Sequence, residues 1–221
     1  MSLYALSTAT VNGQSDGGPP QAPGLYDIEL VIEDARPNNM TGRFTLSVPQ
    51  SLGTDASHPL VVVLHYAGQP TRFYGRPLIE ELFEPAWRDL NAIYLAPESL
   101  DGQWNTSANE AWVLHLLDTI KRHYAVDAKR IVVAGYSMGA IGSWHFINSY
   151  PERFSAAVPI AGMPRSELAC SVPVYTLAAP SDEIFAFDRI EAEVNQLKAQ
   201  GCAVELQAVD ARGHYDVSGF S

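Results

Sequence analysis

The sequence predicts an α/β domain: a mostly parallel central sheet with helices on both faces. Short apolar, β-branched runs alternate with segments of helical period along most of the chain. Leu60–Leu64 (LVVVL) is apolar at every position, as expected of a strand covered on both faces. Each such strand is followed by a segment long enough to cross back over the sheet, which makes successive strands parallel. Right-handed crossovers then narrow the topology.

Taken in order, Gly24–Glu33 and Arg43–Pro49 read as two leading strands, a hairpin pair. After Leu60–Leu64 comes a helix over Pro77–Asp89, with Leu78, Leu82 and Phe83 on its apolar face and Pro77 suited to its first turn. Ala92–Ala96 is a strand, and Glu110–Tyr124 is a helix with Val113, Leu114, Leu117 and Ile120 as its stripe. Arg130–Ala134 is the next strand, followed by a helix over Met138–Ser149 that stops before Pro151. Ala156–Ile160 and Val172–Ala178 are strands, Phe187–Gly201 is a helix ended by Gly201, and Ala203–Val209 is the last strand. The 221 residues suit one domain with a substantial core, with no internal repeat.

Composition bounds the function. The chain is 47% hydrophobic and 18% charged, and no stretch reaches the run of about 20 apolar residues that spans a bilayer, so its body is expected to be soluble. The formal net charge of −11 argues against nucleic acid as a partner, which demands clustered Lys and Arg. It also repels polyanionic substrates at long range. Residues 1–23 are expected to form a flexible arm before a domain over 24–221, because Ser15-Asp16-Gly17-Gly18-Pro19-Pro20 is turn-rich with nothing to pack. The arm has neither the basic nor the apolar region of a signal peptide; a spacer left after removal of one fits equally. Cys170 and Cys202, the two cysteines, each precede a predicted strand. If those strands are neighbours a disulfide is feasible, implying an oxidising compartment; two free thiols in a cytosolic protein are the alternative. Two cysteines fall short of the four ligands of structural zinc.

The chemistry centres on Ile131–Gly139, a buried strand running into G-Y-S-M-G. A bare G-x-S-x-G is weak evidence, but strand, turn and helix in that order are the context the motif needs. Ser137 then sits on a cramped turn, with glycine two positions either side avoiding collision with neighbouring backbone. The following helix aims N–H groups at a reacting carbonyl oxygen, so the Met138 N–H becomes an oxyanion donor. A serine needs a base, and on a sheet of this kind the partners follow as acid, then histidine. Of six histidines, His214 alone lies after a strand downstream of Ser137 and outside its helix; Arg212-Gly213 before it allows a loop to turn back. Ala179-Pro180-Ser181-Asp182-Glu183 follows a predicted strand, and Asp182, nearer the strand end, is chosen as the acid that holds the histidine tautomer. Asp188 is the fallback; Glu183, Asp210 and Asp216 rank below Asp182.

Together these residues resemble the phospholipase/carboxylesterase group of the α/β-hydrolase superfamily and the related feruloyl-esterase and polyhydroxybutyrate-depolymerase-like enzymes. The resemblance runs from about Leu60 to His214. Its most specific part is Asp127-Ala128-Lys129-Arg130, the strand, Gly135-Tyr136-Ser137-Met138-Gly139, and Tyr150-Pro151-Glu152-Arg153-Phe154. It implies an α/β-hydrolase fold and a carboxylesterase with a Ser137–His214–Asp182 triad working through an acyl-enzyme, with no metal or cofactor. Only 44 residues lie between Ser137 and Asp182, which leaves little room for a lid domain. Arg130 and Phe154 are implied scaffold residues. Leu64-His65-Tyr66-Ala67-Gly68 stands where the family has L-H-G-x-G, which implies Ala67 N–H as the second oxyanion donor. Tyr66 replaces a glycine there, Ala179 replaces the glycine before the acid loop, and only Tyr215–Ser221 follows the histidine, where relatives have a helix. Tyr66 is expected to line the substrate site or to donate through its hydroxyl. Trp104 either lines the site or packs in the core. A small ester is the implied partner. Thioesterase, small peptidase and non-catalytic binding protein are the alternatives.

Overall fold

A computed structural model describes residues 5–11, 18–33, 40–50, 52, 57–69, 71–164 and 169–221. Among the described residues, nine strands form one sheet in the order β1-β2-β3-β5-β4-β6-β7-β8-β9. The leading strands β1 (Ala5–Val11), β2 (Gly24–Glu33) and β3 (Met40–Val48) are antiparallel, and β3 pairs antiparallel with β5 (Ile93–Pro97). From β5 onward the pairing is parallel, through β4 (His58–Leu64), β6 (Val126–Tyr136), β7 (Ala156–Ile160), β8 (Val174–Ala178) and β9 (Val204–Ala208). The fold is the expected α/β architecture with a mostly parallel sheet.

Every residue of β4 is buried, and alternation divides its side chains between two cores. Leu60, Val62 and Leu64 join α3 (Ser107–His123), α4 (Met138–Ser149) and α5 (Phe187–Ala199) through Trp112, Leu116, Trp144, Ile190 and Val194. Val61 and Val63 face the other layer, with Leu78, Ile79, Leu82, Phe83 and Phe220. Each such buried aliphatic contributes roughly 1.5–3 kcal/mol.

The single helix expected over Pro77–Asp89 is corrected to a composite. It runs as α1 (Arg76–Leu78), a π-turn over Ile79–Phe83, α2 (Glu84–Ala86) and a 3₁₀ turn over Arg88–Leu90. Pro85 is the physical reason: it has no N–H to donate to Glu81, and its ring crowds the preceding turn. The widened turn relieves this, with Glu84 N–H bonding to Ile79 O five residues back.

Within the segment expected to be an arm, Ala5–Val11 pairs with β2, as its Thr and Val content suits. Further along, Tyr124 donates its hydroxyl to Pro20 O, and Gln21 Nε2 reaches His123 O at 3.3 Å. Ser15, Asp16 and Gly17 of the turn-rich stretch lie outside the described residues. Cys170 and Cys202 lie ahead of β8 and β9, neighbouring parallel strands, and are joined by a disulfide with Cα atoms 4.5 Å apart. The Asp127–Arg130 motif is a scaffold clamp: Arg130 bonds Asp127 at 2.7 Å and Ser57 O at 2.9 Å.

Candidate active site

Ser137 lies between the end of β6 and the first residue of α4, with φ +56° and ψ −114°. Such angles cost a non-glycine residue about 1–3 kcal/mol, so the surroundings must hold them. Ser137 N–H donates to Ile160 O of neighbouring β7 at 2.9 Å, and Ser137 O accepts from Ala140 and Ile141 at 2.9 and 3.2 Å. Both glycines of the motif are forced by close approach. A Cβ on Gly139 would lie 1.9 Å from Leu64 O, and one on Gly135 would lie 2.2 Å from Gly139 O. The turn thus fits only where the backbone of β4 meets that of α4.

The structure brings His214 and Asp182 to this turn from two other loops. His214 Nε2 is 2.9 Å from Ser137 Oγ, and His214 Nδ1 is 2.8 Å from Asp182 Oδ2. The side chains of His214 and Asp182 are 5% and 1% exposed, so water scarcely competes for the bond between them. The other carboxylate oxygen, Oδ1, accepts from the Ile184 and Phe185 N–H groups at 2.8 Å each. Those bonds fix the orientation of the carboxylate toward His214.

Two residues that fix the histidine were not read from the sequence. Glu183 Oε2 accepts the His214 backbone N–H at 2.9 Å, a bond that holds its carboxyl below the ordinary glutamate range. Tyr136, the residue before Ser137, donates its hydroxyl to His214 O. Burial, with Asp182, Asp216 and Glu183 nearby, pushes the Tyr136 pKa up, so the hydroxyl stays a donor. From the sequence Glu183 reads as a solvated or helix-start carboxylate ranked below Asp182, and Tyr136 carries no assigned role; side-chain reach across loops leaves no local pattern.

Met138 N–H and Ala67 N–H have no protein acceptor among the described residues. Ala67 and Tyr66 line a cleft of about 190 Å³ together with Tyr136, Ser137, His214, Tyr215 and Val217. Tyr66 does not adopt a positive φ, so the backbone angles that glycine alone tolerates are not required there. Its ring packs edge-on to Tyr74, with centroids 5.1 Å apart. Trp104 is corrected from the cleft to the core. It is 2% exposed and absent from the cleft lining; it packs edge-on to His65 and donates its indole N–H to His65 O at 2.9 Å. An indole N–H needs an acceptor when buried, and the loop carbonyl supplies one.

The tail Tyr215–Ser221 makes one 3₁₀ turn, Val217–Phe220, whose Phe220 is buried against Tyr136 with centroids 5.4 Å apart. Among the described residues, no three His, Cys, Asp or Glu side chains converge as a metal site would need. None of the described helices is long and apolar enough to cross a membrane.

The model of the dienelactone hydrolase family matches residues 98–215, more than half of the chain. Acetylxylan esterase A of Emericella nidulans is 29% identical over 177 residues, covering 73% of this chain and 54% of that protein. The bifunctional acetylxylan esterase/xylanase XynS20E of Neocallimastix patriciarum is 24% identical over 92 residues, covering 40% of this chain and 14% of that one. This chain therefore spans about half, or less, of those relatives. A ferulic acid esterase structure superposes with a TM-score of 0.67 at 15% identity, covering 87% of this chain and 92% of that one.

Proposed function

The chain belongs to the dienelactone hydrolase family of the α/β-hydrolase superfamily, and from that premise we propose that it hydrolyses carboxylic esters. Ser137 attacks the ester carbonyl, His214 Nε2 takes its proton and passes it to the leaving alcohol, and Asp182 stabilises the imidazolium. Met138 and Ala67 N–H groups receive the oxyanion. Water, deprotonated by the same histidine, then releases the acid from the acyl-enzyme. The observation that carries this reading is the unbroken hydrogen-bonded series from Ser137 Oγ through His214 to Asp182 Oδ2, at 2.9 and 2.8 Å.

The cleft favours small substrates. At about 190 Å³ it is below the range of roughly 300–1,000 Å³ that encloses drug-sized ligands. A short acyl chain is the best fit, in keeping with the acetyl esters named in the relatives. The Cys170–Cys202 bridge supports an oxidising compartment.

The test is hydrolysis of p-nitrophenyl acetate by the wild type and by Ser137→Ala. The variant is expected to lose activity by a factor on the order of 10⁶ in kcat while melting as the wild type does. Undiminished turnover in Ser137→Ala would remove the proposal.

A further inference from the structure

One buried histidine, His65, has no place in the mechanism above, yet both of its ring nitrogens are engaged. It is 3% exposed, between Tyr74 and Trp104, which meet it edge-on with centroids 5.0 and 4.9 Å away. Its Nε2 is 3.0 Å from Ser99 N, and its Nδ1 is 2.8 Å from Tyr66 O. Ser99 N–H can only donate, so Nε2 must accept. A neutral ring then carries its proton on Nδ1, where it meets the Tyr66 carbonyl. The two contacts select one tautomer.

The Tyr66 carbonyl and the Ala67 N–H belong to the same peptide unit. No peptide bond among the described residues is cis, so that N–H points away from the carbonyl across a plane that resists twisting. Holding the carbonyl therefore aims the N–H. We propose that His65 is a positioning residue: through its Nδ1–H it fixes the Tyr66–Ala67 peptide so that Ala67 N–H meets the oxyanion. The inference rests on the esterase reading and on Ala67 as donor.

The surroundings make the aim rigid. Trp104 holds the carbonyl of the preceding peptide, His65 O, at 2.9 Å, so two successive peptides are pinned on their carbonyl sides. Ser99 is itself fixed, with Asn109 Nδ2 on its hydroxyl at 3.0 Å and Leu100 N–H on Asn109 Oδ1 at 2.8 Å. Burial lowers the His65 pKa and so keeps the ring in the neutral form that both contacts require. A protonated ring would turn an N–H toward Ser99 N–H and lose that bond.

Two isosteric variants separate positioning from packing. His65→Asn carries an amide N–H₂ where Nδ1 lies and keeps the bond to Tyr66 O. His65→Gln carries an amide oxygen where Nε2 lies and keeps only the bond from Ser99. With p-nitrophenyl acetate, His65→Gln is expected to lose about 10- to 100-fold in kcat with KM nearly unchanged, and His65→Asn to stay within about threefold. Wild-type kcat in His65→Gln, or equal losses in both variants, would overturn the proposal. Nitrogen-15 NMR of the wild type at neutral pH supplies a readout that needs no turnover and no substitution. A protonated Nδ1 with a bare Nε2 on His65 supports the inference, and the opposite tautomer or an imidazolium defeats it. Should the wild type fail to cleave any ester, the esterase reading falls, and the positioning role with it. The tautomer still decides the Tyr66 hydrogen bond.

Discussion

Ser137 and His65 act on the site through backbone as much as through side chain. Ser137 holds unfavourable angles because its N–H and carbonyl are tied to Ile160 and to the first turn of α4. His65 is buried and neutral at the cost of becoming acid-sensitive. Its pKa is lowered from 6.5 chiefly by burial, so its stabilising contribution is complete above that ordinary value. The contribution is lost as pH falls through the lower folded value. Asparagine at this position does not titrate. The wild-type Tm minus the His65→Asn Tm is therefore expected to be larger at pH 8 than at pH 5. Since His115, also lowered by burial, is present in both proteins, its effect cancels in that difference. A gap that is constant or grows on acidification would count against a buried neutral His65.

Among the elements, the crossing from β7 to β8 stands apart in its described residues. Its ends are residues 161–164 and 169–173, and none of these described residues is helical. The disulfide ties the end of this crossing to the start of β9, linking positions 32 residues apart. By chain entropy alone, closing a loop of that size stabilises by about 3–4 kcal/mol. The double variant Cys170→Ser, Cys202→Ser is expected to lose stability on this scale in urea unfolding, with a clear fall in Tm. A double variant within about 1 kcal/mol of the wild type would show that the bridge adds little. The composite helix over 76–90 makes a related point: its apolar residues are placed by helical period, but Pro85 decides how the turns are wound.

At the scale of the molecule, the chain carries a net charge of −11, and the cleft at Ser137 is small. Long-range repulsion lowers the encounter rate of anionic substrates and is screened by salt. For p-nitrophenyl hydrogen succinate, kcat/KM is expected to rise several-fold between about 10 and 200 mM salt, while that for the neutral acetate stays level. Equal salt responses would mean that the field at the cleft is not the field of the whole surface. The two cores on either face of β4 keep the strand ends in register, and that register sets where the loops carrying Ser137, Asp182 and His214 emerge.

The sequence by itself determined the strand-helix alternation, the turn at Ser137 and the identities of His214 and Asp182 as its candidate partners. Each of these leaves a local trace: an apolar run, a pair of glycines, a carboxylate or histidine just past a predicted strand. It left Cys170 and Cys202 open between bridge and free thiols, because proximity depends on which strands are neighbours. It placed Trp104 beside the substrate as readily as in the core, since an aromatic residue in a loop has no period to betray its burial. Tertiary structure decided both, and it alone revealed Glu183 and Tyr136 on the His214 backbone and His65 beneath the Tyr66–Ala67 peptide. Those contacts join residues brought together by loops or set by side-chain rotamers. Their hydrogen bonds arise from three-dimensional distance, which no spacing along the chain encodes.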